Sequence, residues 1–153
     1  MNFRKPNYLD IPFLTECYKS WPVTETNPPV YEIDIRNWVT RWMNRTHDNG
    51  QEVHAFIIED IEPVGYFQYR VVYGVGVYVD NLIIHPSLQG KGLGTQSIRE
   101  IKQYLVNQGA KFAEFEAFGK MAEWVDEKYQ RVGASEGRVG PLVRGRITAD
   151  MEV

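Results

Sequence analysis

The chain has 153 residues, which fits one ordinary domain (1–153), and 43% of them are apolar, enough for a sizeable core. Formal charge is −3 and no long basic run occurs, so a nucleic-acid surface is not expected. No apolar run approaches the roughly 20 residues that span a bilayer, no secretory pattern opens the chain, and one cysteine, Cys17, excludes an intrachain disulfide. A cytoplasmic, reducing setting fits these features. Cys17 lies among apolar residues without a charged neighbour to make a thiolate, and reads as a buried spectator.

Residues 2–5 suit a short first strand. Asp10 reads as the cap of a helix running to about Ser20, with Leu14, Cys17, Tyr18 and Trp21 on one face. Residues 22–29 (PVTETNPP) form a loop by their prolines and hydroxyls. A second helix carries Ile35, Trp38, Val39 and Trp42 on one stripe and is expected to stop near 48–50 (DNG). The period then changes. Segments 53–59, 64–72 and 74–84 read as strands, with Pro86 ending the third. A helix over about 92–107 has Ile98, Ile101 and Leu105 inward, and 111–118 alternates as a strand. Residues 121–132 suit a fourth helix, with Ala122, Val125, Tyr129 and Val132 in register, and the tail from 135 suits a hairpin turning near Gly140–Pro141. The order β-α-α-β-β-β-α-β-α-β-β is mixed α/β.

The segment 89–97 (QGKGLGTQS) concentrates three glycines between a strand and a helix. At a helix start several N–H groups have no helical acceptor, and the macrodipole adds about half a positive charge. Glycines let an anion approach those donors closely, and Lys91 adds a full charge. Such a turn is a pyrophosphate cradle in its chemistry. The spacing matches neither G-x-x-x-x-G-K-[ST] nor G-x-G-x-x-G, because the glycines fall at 90, 92 and 94.

Gln89-Gly90-Lys91-Gly92-Leu93-Gly94 resembles the Q/R-x-x-G-x-G/A signature of the GNAT acetyltransferase family, and 128–134 (KYQRVGA) resembles that family's Y-x-x-x-G-F segment through Tyr129 and Gly133. The resemblance implies a mostly antiparallel sheet of six to seven strands flanked by four helices, with two parallel central strands, 79–84 and 111–118, splayed apart. It implies acetyl-CoA as cosubstrate. The pyrophosphate would meet the N–H groups of Gln89, Gly90, Lys91, Gly92, Leu93 and Gly94 and the Thr95 hydroxyl. The pantetheine arm would lie along Leu82, Ile83 and Ile84, where backbone donors could also polarise the thioester carbonyl. No metal is implied. Two departures stand out: Ala122 occupies a position where many members carry asparagine, and Ala134 follows Gly133 in place of an aromatic residue.

The implied reaction moves the acetyl group directly to a primary amine in a ternary complex. The amine must be neutral: at pH 7 this costs about 4.6 kcal/mol for a lysine-type amine and about 1.4 for an α-amine of pKa near 8. Tyr129 matches the family's proton donor to the leaving thiolate. Asp80 and Glu116, on the two central strands, are the candidate bases, and period two puts Asp80 on one face with Tyr78 and Leu82. His54 and His85 read as structural. The acceptor, a small molecule or a protein amine, would meet residues 20–42 and 134–148. Trp21, Tyr31, Trp38 and Trp42 could wall that pocket, and Arg138, Arg144 and Arg146 could hold an acidic acceptor or simply face solvent. A homodimer stays open. The rival readings are a non-catalytic acyl-CoA-binding or partner-binding module, and a nucleotide-binding protein, which the glycine spacing disfavours.

Overall fold

The structure, a computed structural model, describes residues 1–19, 28–118, 130–137 and 140–148, with side chains from 116 to 144 outside that description. Its strands are β1 (Asn2–Arg4), β2 (His47–Asp48), β3 (Gln51–Asp60), β4 (Glu62–Val72), β5 (Gly76–Ile84), β6 (Phe112–Phe118), β7 (Gln130–Gly137) and β8 (Gly140–Thr148). The helices are α1 (Ile11–Tyr18), α2 (Glu32–Asn44) and α3 (Leu93–Asn107). The sheet order is β1-β3-β4-β5-β6-β8-β7, with β2 paired to β3. Every pairing is antiparallel except β5 with β6.

Period-two alternation sorts the strand side chains onto two faces. On one, Val53, Ala55, Ile57, Tyr66 and Ile83 pack against Leu14, Cys17 and Tyr18 of α1 and Ile35, Val39 and Trp42 of α2. On the other, Phe56, Ile58, Phe67, Val77 and Ala113 pack against Ile101 and Leu105 of α3. The predicted inner stripes of all three helices are therefore the buried ones, apart from Trp38, which is half-buried, and Trp21, which lies outside the described residues.

Several local expectations change. Asp10 stands at the N-cap of α1, as expected, but its side chain makes no cap bond there. Its carboxylate accepts from the Asn7 amide and from both terminal nitrogens of Arg4, at 2.7 and 2.8 Å, fixing the turn before α1. Arg4 also bonds Glu59 of β3, so one guanidinium joins the sheet to the turn before α1. α2 ends at Asn44, where Arg45 turns extended, and the DNG segment is instead the β2–β3 turn. Asn49 and Gly50 both take positive φ there, at 50° and 77°, as a tight hairpin needs. The predicted fourth helix fails at its end: residues 121–129 lie outside the described residues, and 130–132 belong to β7. The C-terminal hairpin thus starts earlier than expected, with Gly137 opposite Gly140.

β5 carries a bulge that sequence period alone could not reveal. Gln68 pairs with Asn81 and Tyr69 with Val79, so Asp80 has no partner across that ladder. The extra residue reverses the alternation. Tyr78 stands opposite Arg70 and Ile83 opposite Tyr66, on the α1–α2 side, whereas Leu82 packs toward α3. Asp80 therefore shares a face with Tyr78, as expected, but not with Leu82.

Gly65 pairs with Ile84 where β4 and β5 run tightly together. A Cβ there would stand 2.5 Å from the Ile83 carbonyl oxygen, which is backbone and cannot swing away. Gly65→Ala is expected to lower unfolding free energy by about 1–3 kcal/mol, read from urea denaturation of the two proteins.

Candidate active site

The parallel strands β5 and β6 pair over four rungs only, from Gly76–Phe112 to Val79–Phe115. Beyond them β5 runs on to Ile84 bonded to β4, and β6 runs on to Phe118 bonded to β8. Among the described residues no strand pairs with the β6 side of Asp80–Ile84. The two strands part there, where the sequence reading put the slot. At the closed end Phe112 fills the space over Gly76, with a Cβ at Gly76 falling 2.3 Å from the ring. The Arg146 guanidinium lies 4.7 Å from that ring's centre and bonds the buried Glu114 carboxylate at 2.5 Å.

At the open end β5 leads through a short turn to α3. Gly92 caps α3 with φ 80°, and Gly90 has φ 78°. The left-handed conformation at both favours glycine. The first helical bond here runs from the Gln96 amide to Gly92 O, so the amides of Leu93, Gly94 and Thr95 precede the ladder. No side chain caps this end, its first turn holds no acid, and Gly90, Lys91 and Gly92 are exposed. Cβ atoms at 90, 92 and 94 would meet nothing within 4 Å. The loop is thus open over its amides, a shape that suits a diphosphate. Gln89 is different from its neighbours: its amide faces Pro86 O at 3.4 Å, and its side chain donates to Ile84 O at 2.9 Å. It anchors the turn to the end of β5.

On the α1–α2 face, Asp80 is 14% exposed and fully engaged. Arg70 Nε donates to its two oxygens at 3.0 and 2.9 Å, Arg70 Nη2 donates to Oδ2 at 2.8 Å, and Gln68 Nε2 to the same oxygen at 3.1 Å. Tyr66 donates to Gln68 at 3.0 Å, and burial pushes its hydroxyl well above the usual tyrosine range, so it stays a donor. Glu116 faces Arg144 in the β6–β8 register, two residues along from the Glu114–Arg146 rung. Its side chain, and Tyr129 altogether, lie outside the described residues. The partners of Asp80 went unnoticed in the sequence. The signal was available: the 72–76 turn brings residues 70 and 78 opposite each other.

The remaining candidates are placed as follows. His85 stacks on Phe13, with Nδ1 near the Ser87 amide and hydroxyl at 3.2 and 2.8 Å. His54 pairs with Glu52 at 2.7 Å on the opposite face. Trp42 is buried, Trp38 half-buried and Tyr31 exposed, so the pocket-wall tryptophans within the described residues belong chiefly to the core. Arg146 is held by Glu114, and Arg138 lies outside the described residues. No cluster of His, Cys, Asp or Glu among the described residues could hold a metal, and no described helix is long and apolar enough to cross a membrane.

The Acetyltransferase (GNAT) family profile matches residues 13–120, and the chain belongs to that family. No curated protein matches it in sequence. Solved structures match the fold over nearly the whole chain. The F149A mutant of spermidine N-acetyltransferase SpeG from Vibrio cholerae is 17% identical, with TM-score 0.71 and coverage of 97% of this chain and 95% of that one. The protein yncA from Salmonella typhimurium, solved with its cofactor acetyl-CoA, is 17% identical, with TM-score 0.65 and coverage of 100% and 96%. An aminoglycoside 6′-N-acetyltransferase complexed with coenzyme A is 14% identical, with TM-score 0.68 and coverage of 100% and 99%.

Cys17 is fully buried, and burial pushes its thiol up to about 12. A thiol reagent at pH 8 is expected to leave the folded protein unmodified while labelling the urea-unfolded chain, as read by mass. Below the free thiol's usual value near 8.5 both states keep the proton, and Cys17 adds no pH dependence. From there toward about 12 only the unfolded chain ionises, so stability falls as pH rises.

Proposed function

We propose that this chain is an acetyl-CoA-dependent N-acetyltransferase acting on a primary amine. The observation that carries the reading is the open turn at 90–95, whose amides precede the α3 ladder at the end of the strand that parts from β6. In this reading the diphosphate lies on the amides from Gly90 to Thr95 with Lys91 at the rim, while Gln89 holds the turn in shape. The pantetheine arm pairs with the free edge of β5 at Leu82, Ile83 and Ile84, as an added strand would. A β5 amide near Ile83 donates to the thioester oxygen as charge develops on it.

The amine lone pair attacks the acetyl carbon, a C–N bond forms, and the C–S bond breaks with its electrons going to sulfur. The amine nitrogen loses one proton, and the thiolate gains one from the Tyr129 hydroxyl. The proton balance closes when the base releases the amine's proton to solvent and the tyrosinate takes one back. For the amine proton, Glu116 is the carboxylate this reading assigns. Asp80 would have to break its bonds from Arg70 before accepting one. That the acceptor is an amine also draws on the neighbours in fold, which the names spermidine N-acetyltransferase and aminoglycoside 6′-N-acetyltransferase describe.

One observation favours the rival reading of a non-catalytic acyl-CoA-binding module: Asp80 and Glu114 are both occupied by arginines. Calorimetric titration with acetyl-CoA, paired with thiol release across an amine panel, separates the two. Binding without thiol release on any amine would leave only the module.

Gly94 has ordinary φ and open space, so Gly94→Glu is expected to fold normally while setting a carboxylate where the diphosphate binds. Coenzyme A affinity should fall at least about tenfold, or about 1.4 kcal/mol, with melting temperature unchanged. Affinity equal to the parent protein's would remove the cradle. Tyr129→Phe is expected to lower kcat by about 10²–10⁴ with coenzyme A affinity unaltered. Unchanged kcat would remove the acid role.

A further inference from the structure

On the sheet face beneath α1 and α2, side chains from three adjacent strands form one chain of hydrogen bonds. It runs from Tyr66 to Gln68 to Asp80 to Arg70 to Gln51. Arg70 is its one cation. Asp80 grips the guanidinium along the Nε–Nη2 edge, and Gln51 Oε1 takes Nη1 at 3.2 Å. A guanidinium has five N–H donors in a rigid fork. Three are used here, which leaves one on each terminal nitrogen, and the side chain is 40% exposed. Arg70 also sits at the parting of the strands. Its partner across β5 is Tyr78, one rung before the last β5–β6 pair.

We propose that the remaining edge of Arg70 is the specificity element of the acceptor site, and that the acceptor is an amine that also bears a carboxylate. The proposal rests on the acetyltransferase reading and goes beyond it by naming the acceptor's class. A planar fork held on two sides is already oriented, so a carboxylate meets two parallel donors with little further ordering. The charge balance of this face points the same way. Asp80 is ion-paired with Arg70, and Glu114 and Glu116 stand opposite Arg146 and Arg144 in the β6–β8 register. Among the described residues these three acids and three arginines balance, which matches a zwitterionic amine better than a polycation. The Asp80 bulge is then an orienting device: it sets the carboxylate beside Arg70 and keeps the arginine from swinging into solvent.

The test is thiol release from saturating acetyl-CoA on a panel of L-amino acids, the α-amide of each, and spermidine. The expected result is a kcat/KM for the best free acid at least about tenfold above that for its amide, the size of one lost charge-assisted bond. Arg70→Met should erase that preference through KM for the acid while leaving KM for acetyl-CoA in place, and Arg70→Lys should restore part of it. Because Arg70→Met strands Asp80, the double variant Arg70→Met/Asp80→Asn is run beside it, and loss of preference in both supports the proposal. Thiol release that favours amides or spermidine overturns the carboxylate class and leaves the acetyltransferase standing. Equal loss on acid and amide in both variants assigns Arg70 a structural role and overturns the proposal. Acetyl-CoA binding without thiol release on any member of the panel overturns both readings together.

Discussion

The site depends on a sheet that stops being continuous partway along two of its strands. A strand edge inside a protein carries donors and acceptors that need partners, and leaving them dry is costly. Here β5 and β6 satisfy each other up to Val79 and Phe115, and beyond that point, among the described residues, each pairs with its outer neighbour alone. The inner edge of β5 from Asp80 onward therefore presents peptide groups, at the point where the chain turns into α3. One short stretch of chain thus offers an unpaired strand edge followed by an uncapped helix start. Those are two donor arrays of different spacing, suited to an amide-rich arm and to a doubly charged anion.

The rest of the fold can be understood as holding that discontinuity open. α1 and α2 seal one face and α3 the other, so neither layer bridges β5 to β6 across the opening among the described residues. The bulge at Asp80 lets β5 carry apolar residues toward α3 before it and after it, while Tyr78 and Ile83 turn to the opposite layer. Gln89 ties the turn back to Ile84. The amides beyond it are then fixed relative to the strand, which is the requirement for two donor arrays to engage one extended ligand.

Much of this was legible in the sequence, for identifiable reasons. The core strands alternate cleanly, and the helical stripes of Leu14–Cys17–Tyr18, Ile35–Val39–Trp42 and Ile98–Ile101–Leu105 are the buried faces. The glycine loop announced itself by spacing. The misreadings came from signals with two physical meanings. Asn49–Gly50 suits a helix end as well as a hairpin, and the pairing of β2 with β3 decided the matter. The apolar spacing through Val132 suits a helix, yet 130–132 joins β8, a contact far along the chain that local pattern does not contain. The bulge is a property of a ladder and has no signature in one strand alone. For the same reason the arginine beside Asp80 went unseen until the register was known.

Phe112 has one more implication. Its ring lies against the bare α-carbon of Gly76, backed by the Arg146 guanidinium. The paired end of the two strands is therefore filled by an aromatic wedge, set back from the point where they diverge. Residue 112 is thus a fulcrum: the bulk of that one side chain governs how closely β5 and β6 approach at their first rung, three residues before they part.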